Sequence, residues 1–178
     1  MTYRQQLREL AFDTHGVVTT AQARAVGVPA VELRKLAARG ALTQLGHGVY
    51  RMLEAPFGRM DEYAEAVALA GDGAVLADEA VLAAHDLAQV NLRRVRVATP
   101  RRVRAKLPKT VELIHRAVPI EDLDYIEGVP AMSVESALLG ARGRVRTERL
   151  IDAAHQAADR GLLRRDQEDR VVAALASP

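Results

Sequence analysis

The sequence predicts a mixed α/β chain in two parts. Three short helices closed by a β-hairpin fill residues 1–54, and a domain with a small β-sheet and several helices fills residues 60–178. Three observations carry that prediction. Apolar residues recur at helical spacing through much of the chain but alternate at period two in a few short runs. Glycines punctuate the early junctions, at His15–Gly16, Gly27–Val28 and Gly46–His47–Gly48. The pattern and the charge both break at Pro56 and Gly58, which marks a linker.

Residues 2–14 read as a first helix with Leu7, Leu10 and Ala11 on one face, covered at its end by Phe12 and Val17 and stopped at Gly16. "VVTT" leads into a second helix that Thr19 or Thr20 caps and that reaches Arg24 to Val26. Gly27–Val28 is the turn, Pro29 suits the first turn of a third helix, and Gly40 ends that helix after about Arg39. "ALTQL" and "GVYRM" then alternate as two strands of a hairpin. Beyond the linker, "MDEYAEAVALAG" and "AVLADEAVLAAHDLA" read as amphipathic helices separated by "GDG". "RRVRVATP" is a strand ending at Pro100, "RRVRAKLPKT" a basic connection and "VELIHRAV" a second strand. "PIEDLDYIEGVPAM" is acidic and turn-rich, with room for a short strand before Gly128. The tail is helical: "SVESALLGA" behind an N-cap at Ser133, then "RTERLIDAAHQAADRG", then "RRDQEDRVVAAL".

Composition narrows the function classes. Hydrophobic residues make up 49% of the 178, enough for a real core, yet no apolar run approaches a membrane span. "MTYRQQLREL" lacks the apolar stretch of a signal peptide, so a soluble cytoplasmic protein is expected. With no cysteine there is neither a disulfide framework nor a thiolate metal site. His15, His47, His85, His115 and His155 stand at no spacing that builds a zinc site. The net charge of +2 hides strong segregation. Residues 1–53 carry seven bases against three acids, residues 60–92 seven acids and no Lys or Arg, and residues 87–111 eight bases and no acid. Such blocks suggest faces with different partners, or faces that pair with one another inside the fold.

The first third has the makings of a winged helix-turn-helix. Its third helix offers Leu33, Leu36 and Ala37 to the core and leaves Arg34, Lys35 and Ala38 on the other side, with Arg39 near its end. A helix so divided can lie in a major groove, where Arg34 and Lys35 reach base edges or phosphates and the small Ala38 lets the backbone approach. His47 at the hairpin tip and Arg51 on its second strand would touch the flanking backbone or minor groove, and Thr20 and Arg24 of the second helix complete the candidate set. At 3% aromatic content a stacking surface for single strands is disfavoured, so duplex DNA is expected rather than RNA. A protein-interaction module of the same shape stays open.

The second part is poorer in chemistry. "GDG" is too short for a phosphate loop and reads as a turn. Asp122 and Asp124 could hold Mg²⁺ but are better explained as an acidic surface turn; no metal, cofactor or catalytic residue is assigned. The strongest lead is basic: Arg93, Arg94, Arg96, Arg101, Arg102, Arg104, Lys106 and Lys109 within one strand and its connection. Eight like charges call for a counter-charge, which a protein partner, DNA, a nucleotide phosphate or the chain's own acidic helices could supply.

"TTAQARAVGVPAVELRKLAARGALTQLGHGVYR" resembles the N-terminal winged helix of the AbiEi family of antitoxins, of type IV toxin–antitoxin systems. The likeness lies in the Thr-x-x-x-Ala opening of the second helix, the Gly-Val turn, and a helix "LRKLAARGAL" running into "GHGVYR", with Gly40, Leu42, Gly48, Val49, Tyr50 and Arg51 as in the family pattern. Pro29 departs from it, since many relatives place a capping Ser there. The resemblance continues more weakly through "VRVATP", "VELIHRAV" and "IEGVPAMSVESALLGA". It implies an autorepressor that binds inverted repeats in its own operator, hence a homodimer on DNA. It also implies a nucleotidyltransferase-like toxin as partner, neutralised through the C-terminal domain. Binding rather than catalysis is the expected mode. An atypical ATP-dependent kinase that inactivates the toxin is one alternative, though no kinase motif is present, and a plain transcriptional regulator is another.

Overall fold

The computed structural model describes residues 1–177 and divides into two compact units. The first comprises Met1–Asp72 with the returning stretch Val103–Leu107; the second comprises Gly73–Arg102 and the chain from Pro108 onward.

The first unit begins with α1 (Tyr3–Asp13), started by a capping box in which Thr2 and Gln5 satisfy each other's backbone N–H. It buries Leu7 and Ala11. There follow β1 (Val17–Thr19), α2 (Thr20–Ala25), α3 (Ala30–Ala38), β2 (Leu42–Gly46) and β3 (Val49–Met52). Thr19 is the cap of α2, in a second capping box with Gln22. The three strands form an antiparallel sheet in the order β1-β3-β2, with Tyr50 opposite both Val18 and Gln44. Leu7, Val18, Ala23, Val28, Leu33 and Met52 form a core with no exposure to solvent. Three helices around a hairpin with an added strand is the winged helix-turn-helix arrangement. The sequence reads β1 only as a lead-in to α2. Its residues earn strand status by pairing with the central β3, a partner some thirty residues away in sequence that local pattern does not reveal.

The unit does not stop at the linker. The boundary expected at residues 54–60 lies inside it, because α4 (Asp61–Ala70) belongs to the same compact body. The reason is ionic as well as apolar. The Arg51 guanidinium, on β3, binds Glu65 at 2.6 Å and Asp61 at 3.1 Å, both on α4.

The second unit is built on a five-stranded sheet in the order β6-β5-β4-β8-β7. Its strands are β4 (Val75–Leu76), β5 (Val95–Thr99), β6 (Val111–His115), β7 (Leu123–Ile126) and β8 (Val129–Met132). Its helices are α5 (Glu79–Ala84), α6 (Val134–Gly140), α7 (Thr147–Asp159) and α8 (Arg165–Ala176). The sheet is mixed: β5 runs parallel to β6 and β4 to β8, while β4 is antiparallel to β5 and β7 to β8. Two sequence expectations change here. "AVLADEAVLAAHDLA" is not one helix. Val75 and Leu76 are a strand at the centre of the sheet, and the helix starts only after Asp78, whose φ of +50° breaks the run. "GVPAM" is a strand too, joined to β7 by a two-residue turn at Glu127 and Gly128, both with positive φ as a type I′ hairpin requires. The other helices lie where periodicity placed them. α7 buries Leu150, Ala153, Ala154 and Ala157, an i, i+3, i+4, i+7 stripe, and Ser133 caps α6 by accepting the Ser136 N–H at 3.2 Å. Among the described residues no helix is long and apolar enough to cross a membrane.

Candidate nucleic-acid interface

The turn between α2 and α3 is tight because Gly27 sits at φ +82°, a conformation that costs glycine little. It lets the Val28 N–H reach back to the Ala23 carbonyl at 2.8 Å and drops the Val28 side chain into the core. α3 starts at Pro29, which stands as its N-cap rather than inside its first turn and offers no side-chain hydrogen bond. Leu33 and Leu36 anchor the helix, while Val31, Arg34, Lys35 and Ala38 form its exposed stripe.

The stripe is not uniformly cationic. Lys35 donates to the Glu32 carboxylate at 2.7 Å, one turn away on the same helix. Arg34 makes no ion pair among the described residues, nor do the exposed Arg24 and Arg39. These three guanidiniums are therefore free to meet phosphate or base edges. At the wing, exposed His47 occupies the hairpin tip. Thr20 is half-buried and serves the wing from below: its N–H and hydroxyl both donate to the Gly48 carbonyl, at 2.8 and 3.2 Å.

Arg51, expected at the DNA surface, is instead 7% exposed. Besides Asp61 and Glu65 it has the Phe57 ring over its guanidinium carbon at 5.2 Å. It stands on a strand whose four residues are all buried in the structure, which its position in the hairpin does not reveal. The signal that could have found its true role was the acidic pair Asp61 and Glu65, one helical turn apart just past the linker.

The basic block of the second unit also loses a member. Arg96 is 9% exposed and turns inward to Asp78 at 3.0 Å and Glu112 at 2.5 Å. Asp78 has no exposure at all and also receives Arg116 at 2.9 Å and Arg144 at 2.7 Å. With Glu79 on Arg144 the cluster holds three guanidiniums and three carboxylates and is neutral. Gly140 is required beside it, since a Cβ there would collide with the Asp78 carboxylate. Nothing in local periodicity signals this cluster, whose members come from four separate stretches of chain. The remaining bases, Arg93, Arg94, Arg101, Arg102, Arg104, Lys106 and Lys109, are exposed and make no ion pair among the described residues.

Residues 5–52 match the family model described as "Transcriptional regulator, AbiEi antitoxin". The winged unit carries the AbiEi domain. The matched stretch runs from within α1 to the end of β3 and takes in every candidate DNA contact of the winged unit. Against solved structures, the chain is similar over its whole length to a protein titled "Crystal structure of RV2827C protein from Mycobacterium tuberculosis". The likeness has 18% identity, a TM-score of 0.51 and coverage of 78% of that chain. At this identity it speaks for the fold alone, and the shared fold extends past the AbiEi segment into the second unit. No curated protein matches the chain. In this AbiEi unit the "GHGVYR" end of the family pattern is structural: Tyr50 and Arg51 face inward and hold the wing, and only His47 projects from it.

Proposed function

We propose that the protein is the antitoxin of a toxin–antitoxin operon. It represses its own operon by placing α3 in the major groove of operator DNA, and it neutralises a nucleotidyltransferase-like toxin through its C-terminal unit. One observation carries the DNA half: Arg34 stands free on the exposed stripe of a helix in the AbiEi segment, supported below by Leu33 and Leu36. The family description, an antitoxin that regulates transcription, supports the same reading. The toxin half draws on that family and on the separation of the chain into two units.

The test has two arms. Footprinting of the full chain on the DNA upstream of its own gene should protect an inverted repeat whose half-sites lie about one helical turn apart. Co-expression with the neighbouring gene should restore growth that the neighbour alone arrests. Protection without rescue leaves a plain transcriptional regulator, and neither result leaves a protein-binding module.

A further inference from the structure

The exposed stripe of α3 is charged or small except at Val31. With 3.6 residues to the turn, Val31, Arg34, Lys35 and Ala38 fall within about 100° of one another, on the side opposite Leu33 and Leu36. Val31 is 43% exposed there, while Leu33 is fully buried and Leu36 nearly so. The core therefore does not account for it. Nor does the helix, since a β-branched side chain loses rotamer freedom against the preceding turn and alanine would serve a solvent-facing position better.

A lone exposed apolar residue is ordinary on a protein surface, and it is the place of Val31 that sets it apart. It is the second residue of α3, in the turn with which such helices meet base edges. Arg34 and Lys35 follow one turn later on the same stripe, and Arg34 makes no ion pair among the described residues. An apolar side chain among cations suits the major groove, where the phosphates flank one apolar feature, the 5-methyl group of thymine. The Val31 side chain ends in two methyl groups and carries no hydrogen-bonding atom. It can tell thymine from cytosine by packing alone, while Arg34 supplies the hydrogen bonds to a neighbouring base.

Building on the proposed entry of α3 into the major groove, we infer that Val31 selects a thymine in each half-site by packing on its 5-methyl group. Three residues of helix rise about 4.5 Å, against about 3.4 Å per base pair, so this thymine lies within two base pairs of the one that Arg34 reads. The contact is apolar, so it adds to sequence preference and leaves the salt dependence of binding unchanged.

The test removes the methyl group alone. The full chain is bound to duplexes of the DNA upstream of its own gene, in which each thymine is replaced in turn by deoxyuracil. In the wild type one replacement per half-site should weaken binding about threefold or more, the worth of one buried methyl group. Val31→Ala should bind that duplex and the unmodified one equally, with the salt slope of the wild type and a melt no lower. Arg34→Ala should bind more weakly yet keep the sensitivity to the methyl group. A scan that is flat in the wild type, or a sensitivity that survives in Val31→Ala, overturns the role of Val31. If Arg34→Ala still weakens binding in that case, DNA reading by α3 stands and Val31 is left to a protein partner. A wild type that binds none of these duplexes overturns both.

Discussion

Arg51 and Arg34 lie seventeen residues apart in the same unit and do different work. Arg51 is enclosed by Asp61, Glu65 and Phe57, so its charge is spent inside the protein. Removing it leaves two carboxylates facing a gap. Arg51→Ala should cost about 3 kcal/mol of stability, read as a shift in denaturation midpoint. An unchanged midpoint would mean that the pairing with α4 does not hold the unit together. Glu32 is the one acid on α3, a like charge to the phosphates of any DNA that the helix would meet. It holds Lys35 at 2.7 Å on the solvent side, where such a pair contributes little to stability, about 0.5 kcal/mol or less. Glu32→Gln should therefore leave the melt nearly unchanged and tighten binding to any duplex, by releasing Lys35 and removing a like charge from the phosphates. Weaker binding in that variant would show that Glu32 itself accepts a bond from the DNA.

At the scale of elements, the α7–α8 hairpin is fastened by a buried carboxylate. Glu168 on α8 meets the His155 ring of α7 at 2.6 Å and Arg165 at 2.7 Å. The His155 hydrogen bond first, and Arg165 next, hold the Glu168 carboxyl below the usual carboxylate value of 4.5. A carboxylate depressed in the folded state stabilises fully above its unfolded value and loses that contribution as pH falls through its folded one. Glu168→Gln should thus melt lower than wild type at neutral pH, and the gap should close as the buffer is taken well below pH 4.5. A gap that persists in acid would mean that the charge on Glu168 does not fasten the hairpin. Most helices were legible in the sequence because each carries its own stripe, as α7 does with Leu150, Ala153, Ala154 and Ala157. β1, β4 and β8 were not, since strands of two to four residues gain their stability from partners far along the chain. The exposed side of α3 could be read, but the inward turn of Arg51 and Arg96 could not. On a strand, direction is fixed by what lies across the sheet or above it, and here that is Asp61, Glu65 and Asp78.

For the whole molecule, the charge blocks in the sequence resolve into separate uses. Asp61 and Glu65 of the acidic block are consumed by Arg51, and Asp78 and Glu79 by Arg96, Arg116 and Arg144. Among the described residues, the bases that make no ion pair include Arg24, Arg34 and Arg39 of the winged unit and those flanking β5 and β6. Whether α3 of the AbiEi unit reads operator DNA is decided most directly by one affinity. It is that of the full chain for the DNA upstream of its own gene, followed against salt for the wild type and Arg34→Ala, with thermal melts alongside. If Arg34 reads a base, the variant should bind more weakly by about 1–3 kcal/mol per half-site and should discriminate less at one base pair of each, while melting like the wild type. Equal affinity and equal discrimination in a well-folded Arg34→Ala protein would contradict DNA reading by α3 and leave the winged unit as a surface for another protein.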